Sequence, residues 1–219
     1  MNPDQVLITV PTRGSVRWET ITRLQAIRDV GGYPPICYLP GNLSVAQTRN
    51  RISAHFDKGN PTTGRPYAAL VMVDDDVVPS PQFLDCILDR LDEFAVVALP
   101  HPMPHPQDPS RLCLTVFNDD GEGFAFRRDI EEGLHECDAV ATGCIVISAT
   151  VLRALGSRPF RITDDPFAPV TSDDFEFCRD VRAAGFRIGY WYDGWFADHV
   201  NTASLAPLLA ATTLERSRA

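Results

Sequence analysis

Lysine is almost missing from this 219-residue chain: Lys58 is the only one, so nearly all positive charge is arginine. Arginine is the side chain best suited to holding phosphate in a bidentate fork, although a codon-biased genome produces the same preference. Paired cysteines are missing too. Cys37, Cys86, Cys113, Cys137, Cys144 and Cys178 lie far apart with no C-x-x-C, which excludes a zinc-ribbon or dithiol redox motif and reads as reduced core thiols. No apolar run approaches the roughly 20 residues of a membrane span. Met1 to Gln5 does not begin a basic-then-apolar leader, so the expectation is a soluble, unexported, cytoplasmic protein. Net positive charge is also absent. A formal charge of -9 disfavours sequence-independent binding to duplex nucleic acid, where phosphate neutralisation dominates affinity.

What is present is an ordinary globular composition, 44% hydrophobic and 22% charged, at a length that fits one large α/β domain. Val6 to Val10 is a short apolar run ended by Pro11-Thr12-Arg13-Gly14, and Val16 to Val30 is compatible with a helix. Ile36 to Leu39 reads as a second strand and Leu43 to Phe56 as a second helix with Ser44 near its start. Ala68 to Val73 has the continuous apolar pattern of a strand buried on both faces, and it stops at Asp74-Asp75-Asp76. Pro79 and Pro81 open an amphipathic helix, followed by the buried run Phe94 to Leu99.

The second half is less regular. Pro100 to Pro109 holds five prolines and two histidines and reads as a loop, because proline lacks the donor that sheet pairing requires. Leu112 to Phe117 and Phe124 to Phe126 look like strands split by the turn chemistry of Asn118-Asp119-Asp120-Gly121. Ala139 to Ser148 reads as one apolar strand, Ala149 to Leu155 as a short helix, and a helix starts near Asp173 and ends before Gly185. Arg187 to Tyr192 is the last strand, and the Ala- and Leu-rich tail from Thr202 suits a terminal helix.

Three adjacent carboxylates at a strand end repel one another unless a counter-charge is near, and a divalent cation is the simplest one. Hard oxygen ligands suit magnesium or manganese, which combine one or two carboxylates with substrate phosphates. Open α/β sheets bind ligands beyond the carboxyl ends of their strands, which weighs against a merely solvated acidic turn. Asp173-Asp174 open a helix, and Thr171-x-x-Asp174 also fits a capping box. Only in combination with the strand-end acids does the pair suggest a general base. His199 follows the last strand as a possible imidazole ligand, and Arg49, Asn50 and Arg51 lie in a helix where arginines could face a diphosphate.

In their order along the chain, Val6 to Pro11, Ala46-Gln47-Thr48-Arg49-Asn50, Val71-Met72-Val73-Asp74-Asp75-Asp76, Thr142-Gly143-Cys144-Ile145-Val146-Ile147 and Ser172-Asp173-Asp174-Phe175-Glu176-Phe177-Cys178-Arg179 resemble the GT-A glycosyltransferases, especially the large inverting family 2-like group. The resemblance spans roughly Val6 to His199. It implies a single GT-A, Rossmann-like α/β domain with a mostly parallel central sheet flanked by helices. A nucleotide-binding half of about residues 1–100 and an acceptor half of about 101–200 would be followed by a tail of 201–219.

The implied activity is transfer of a sugar, with inversion, from a nucleoside diphosphate sugar, uridine diphosphate favoured, with Mn2+ or Mg2+. By resemblance Asp76 and His199 would hold the metal. Pro11, Thr12, Arg13, Arg49, Asn50, Asp74 and Asp75 would bind the nucleotide, Asp174 would be the base, and Gly143 and Asp173 would lie on the acceptor side. The acceptor, whether small molecule, lipid carrier, protein or modified DNA base, stays open, as does the oligomeric state. Asp173 stands where the family usually has Glu, and the Gln-x-x-Arg-Trp of processive members is absent.

Three rivals remain. Asp74-x-Asp76 also fits the first motif of haloacid-dehalogenase-like phosphatases, but no lysine follows Lys58. A nucleotidyltransferase wants a glycine-rich phosphate loop, and Pro11 to Arg17 contains one glycine. A non-catalytic nucleotide- or sugar-binding module of the same fold is the third.

Overall fold

A strand that is buried at every residue needs cover on both faces, and four such runs build the centre of this fold. The structure, a computed structural model, describes residues 1–12, 14–40, 43–105, 107–162, 172–194 and 197–200. In chain order the elements are β1 (Val6–Thr12), α1 (Trp18–Gly31), β2 (Cys37–Pro40), α2 (Val45–Phe56), β3 (Ala69–Val73), β4 (Val77–Val78), α3 (Phe83–Ile87), β5 (Val96–Ala98), β6 (Pro102–His105), β7 (Asp108–Leu114), β8 (Val116–Asp119), β9 (Phe124–Phe126), β10 (Gly133–Cys137), β11 (Ala139–Val140), β12 (Cys144–Ser148), α4 (Ala149–Leu155), α5 (Asp173–Ala183), β13 (Ile188–Tyr192) and β14 (Asp198–His199).

Seven strands form the central sheet in the order β10-β13-β5-β12-β3-β1-β2. Strands β1, β2, β3, β5 and β13 run one way, while β12 opposes both its neighbours and β10 opposes β13. The sheet is therefore mostly parallel and flanked by helices. Alternate residues of β1 and β3 point to opposite faces, as the strand period of two requires. Leu7, Leu70 and Met72 pack with Ile52 and Phe56 of α2, Val151 of α4 and Phe177 of α5. Val6, Ile8, Val71 and Val73 pack with Leu24 and Ile27 of α1 and Phe83 and Ile87 of α3 on the other face.

Several elements depart from the sequence reading. The run Ala139 to Ser148 is broken in two, because its first part joins β8 and β9 in a small sheet and only β12 enters the central one. Thr142 and Gly143 lie in the gap between those parts. The proline-rich segment is not all loop: β6 pairs antiparallel with β7, Pro102 opposite Leu114 and Pro104 opposite Leu112. Prolines at every second residue lack donors on the same side of the strand, so the other side remains able to pair in a two-stranded ribbon. β10 is a strand although Gly-Leu-His-Glu-Cys carries little apolar pattern. Not all cysteines are core thiols either, since Cys86 of α3 is exposed while Phe83, Leu84 and Ile87 are buried. Arg13, Thr171 and the expected terminal helix lie outside the described residues. Among the described residues no helix is long and apolar enough to cross a membrane.

Candidate active site

The parallel strands deliver their carboxyl ends to one edge of the sheet, and there the charged residues meet. Strand β3 ends at Val73 and releases Asp74-Asp75-Asp76 into a tight turn closed by a hydrogen bond from Val77 N–H to Asp74 C=O, 3.1 Å. Because β12 runs antiparallel to β3, its beginning lies beside that end, with Cys144 opposite Val73 and Asp74 N–H donating to Gly143 C=O at 2.8 Å. The cleft in front of these acids is lined by Pro11, Thr12, Leu43, Val45, Thr48, Asp74, Asp75 and Asp76. Thr12 also shapes the β1 loop, accepting from Gly14 N–H at 3.1 Å and donating to Ser15 C=O at 2.9 Å.

Helix α2 begins at a complete capping box, with Ser44 and Gln47 each bonding the other's backbone N–H. Its Arg49 is only 3% exposed and joins the two acidic motifs. Nη1 donates to Asp173 at 2.8 Å and to Asp174 at 2.9 Å, and Nη2 lies 3.3 Å from both carboxylate oxygens of Asp74. Burial opposes the Arg49 charge, yet Asp74, Asp174 and Asp173 together hold its pKa above the usual value. Burial also pushes Asp74 up to about 6, against the pull of Arg49 and with the help of Asp174 and Asp76. Asn50 plays another part: its amide donates to Phe160 C=O at 2.6 Å and accepts from Phe160 N–H at 3.0 Å, fastening α2 to the segment after α4.

Ser172, not Thr171, caps α5 by accepting from Phe175 N–H at 3.4 Å. Asp174 is therefore not the capping-box acid. Its Oδ1 takes the bond from Arg49 and another from the hydroxyl of Thr142, and among the described residues its Oδ2 takes none. Asp173 and Asp174 thus face the strand-end acids and do not fold back on their own helix.

On the other side of the acids, β14 pairs antiparallel with β4, setting His199 opposite Val77, and Val200 N–H donates to Asp76 C=O at 2.7 Å. This pairing brings His199 Nε2 to 3.1 Å from Asp76 Oδ2. The hydrogen bond to His199 is the chief cause holding Asp76 below the usual carboxylate range, and the same bond raises His199. No group of three or more His, Cys, Asp or Glu able to hold a metal occurs among the described residues. A carboxylate oxygen and an imidazole nitrogen side by side are nevertheless donors of the kind a divalent cation takes.

Two residues at this edge were not singled out from the sequence. His101 is buried just after β5, its Nδ1 3.2 Å from Thr115 Oγ1 and its ring 5.5 Å from that of His199. Burial pushes its pKa down to about 3, so the ring is neutral. Thr142, the hydroxyl partner of Asp174, is the other. The available signals were a histidine directly after a buried strand, and a threonine next to a glycine at a strand start.

The sequence profile of the glycosyltransferase like family 2 matches residues 39–216, most of the chain. The chain belongs to that family. The family 2-like chain therefore has the fold and transferase class of the nucleotide-sugar transferases. Among solved structures it is similar to A197 from STIV, at 18% identity over 90% of this chain and 85% of that one, with a TM-score of 0.60. A glycosyltransferase involved in the glycosylation of the major capsid of PBCV-1 aligns at 10% identity over 86% and 82% of the two chains, with a TM-score of 0.46. No curated protein matches. In this family 2-like transferase Asp74, Asp75, Asp76, Thr12 and Pro11 share one cleft, Arg49 ties Asp74 to Asp173 and Asp174, and Asn50 is engaged elsewhere.

Proposed function

We propose that this family 2-like transferase moves a sugar from a nucleoside diphosphate sugar, uridine diphosphate favoured, to an acceptor hydroxyl with inversion at the anomeric carbon. The observation that carries this reading is the single guanidinium of Arg49, bonded at once to Asp74 of the strand-end cluster and to Asp174 of α5. It sets a candidate base beside a nucleotide cleft. The N-terminal half, with Pro11, Thr12, Arg13, Asp74 and Asp75, would hold the donor, and the half with Gly143 and Asp173 would face the acceptor.

Asp76 and His199 would hold Mg2+ or Mn2+, which when bound offsets the negative charge of the departing diphosphate. Asp174 Oδ1 is anchored by Arg49 and Thr142, so Oδ2 is the oxygen left to accept the proton of the attacking hydroxyl. A base on one face and a leaving group on the other give a single displacement, hence inversion. Asp174→Asn keeps the shape and removes the basicity, so transfer should fall by roughly 10²-fold or more, the usual worth of a positioned base. The anomeric configuration of the product, read by NMR, is the companion measurement. Retained configuration with an active Asp174→Asn variant would refute the scheme.

A further inference from the structure

Arg49 was expected from the sequence to face a diphosphate, but its surroundings support another role. An arginine has five N–H donors in a fixed plane. Those of Nη1 go to Asp173 and Asp174, and Nη2 meets both oxygens of Asp74. The remaining donor, Nε, is buried and has no partner among the described residues. A phosphate could reach this guanidinium only by displacing a carboxylate that already holds it. The side chain is 4% exposed, against 31%, 13% and 24% for Asp74, Asp173 and Asp174, so the cation lies behind the acids and the acids face outward.

The three acids come from elements distant in sequence. Asp74 is 25 residues from Arg49, and Asp173 and Asp174 are 124 and 125 residues away. Strand β3 and α5 share one apolar core, Leu70 and Met72 with Phe177 and Cys178, but three carboxylates around one point at its edge repel strongly without a counter-charge. We infer that Arg49 is a positioning residue of this transferase and not a diphosphate ligand: it locks α5 onto the end of β3 and orients the carboxylate of Asp174. The inference rests on the reading of Asp174 as the base. Thr142 adds to the orientation by donating to the same oxygen. With both bonds on Oδ1, rotation of the carboxylate is restrained and with it the direction of Oδ2. Lysine in place of Arg49 keeps one charge but cannot fork to acids on two elements.

The test compares wild type, Arg49→Lys, Arg49→Met, Asp173→Asn alone, and Arg49→Met combined with Asp173→Asn. Binding of uridine diphosphate with Mn2+ is followed by calorimetry, transfer by kcat and KM, and folding by Tm. A positioning role predicts that Arg49→Lys binds uridine diphosphate within about threefold of wild type while kcat falls by roughly 10-fold to 10²-fold, because only the transition state needs the oriented base. It predicts also that Arg49→Met lowers Tm and that Asp173→Asn raises Tm in that background but not in wild type, the coupling expected of a charge and its counter-charge. Loss of uridine diphosphate affinity by about tenfold or more, with kcat at saturating donor unchanged, would make Arg49 a diphosphate ligand and overturn the inference. Additive Tm effects of the two substitutions would also overturn it. If Asp174→Asn is fully active, or wild type binds no uridine diphosphate, the proposed function fails by itself, and the Tm cycle still decides whether Arg49 is the counter-charge. If Arg49→Met does not fold, Arg49→Lys supplies the binding and kcat comparison.

Discussion

Gly143 has no room for a methyl group. A Cβ at that position would lie 2.8 Å from Cε1 of His101, 3.4 Å from its Nδ1 and 3.5 Å from Oδ2 of Asp74. His101 cannot swing aside at no cost, since it is buried and held by Thr115 through both its backbone N–H and its ring. Gly143→Ala should therefore lower stability by about 1–3 kcal/mol, as overpacking does, measured by chemical denaturation. Adding His101→Ala should recover part of that loss. An unaltered denaturation midpoint in Gly143→Ala would show that the contact is not tight. At this scale the acids were legible, because three carboxylates ending an apolar run are unusual in themselves. Their partners were not. No local pattern says that Arg49 turns inward while Arg51, two residues on, is exposed, or that Asn50 grips the backbone of Phe160. Such choices depend on which helix face meets the sheet, and so on the assembled fold.

Among the elements, α2 carries Arg49 from a start at Val45 capped by Ser44, two residues inside the Leu43 to Phe56 stretch read from the sequence with Ser44 near its start. The box formed with Gln47 satisfies two N–H groups that a helix otherwise leaves open, and Thr48 adds a bond from its hydroxyl to Ser44 C=O at 3.1 Å. Ser44→Ala should cost about 1 kcal/mol, and Ser44→Thr should keep most of the stability, both read as shifts in Tm. An equal loss in the two variants would assign the effect to something other than the cap. The strands β1, β3, β5 and β12 were legible because burial on both faces demands unbroken apolar runs. The ribbon of β6 and β7 was not, since its prolines argue against strands wherever both sides of the backbone must pair. Neither was the break between β11 and β12: both pieces are apolar, and only the sheets they join distinguish them. That break matters to the site, because it delivers Thr142 and Gly143 to Asp174 and Asp74.

For the molecule as a whole, the net charge of -9 is locally answered at the sheet edge by one buried arginine, with Asp76 held by His199 instead. A second, divalent counter-charge beside Asp76 would complete the balance when a diphosphate enters the cleft. The broad architecture followed from the alternation of apolar runs and helices. The acceptor did not, for its recognition depends on surfaces that no motif in the chain describes. The central claim is cation-dependent turnover of a nucleotide sugar at Asp76 and His199, and donor hydrolysis tests it without knowledge of the acceptor. The measurement is the rate of nucleoside diphosphate release from a panel of nucleotide sugars, with Mn2+ or with chelator, for wild type and for folded Asp76→Asn. Wild type with Mn2+ should release nucleoside diphosphate from at least one uridine diphosphate sugar, and chelator or the substitution should abolish that release. Equal release in chelator and in Asp76→Asn, or no release from any nucleotide sugar, would contradict it.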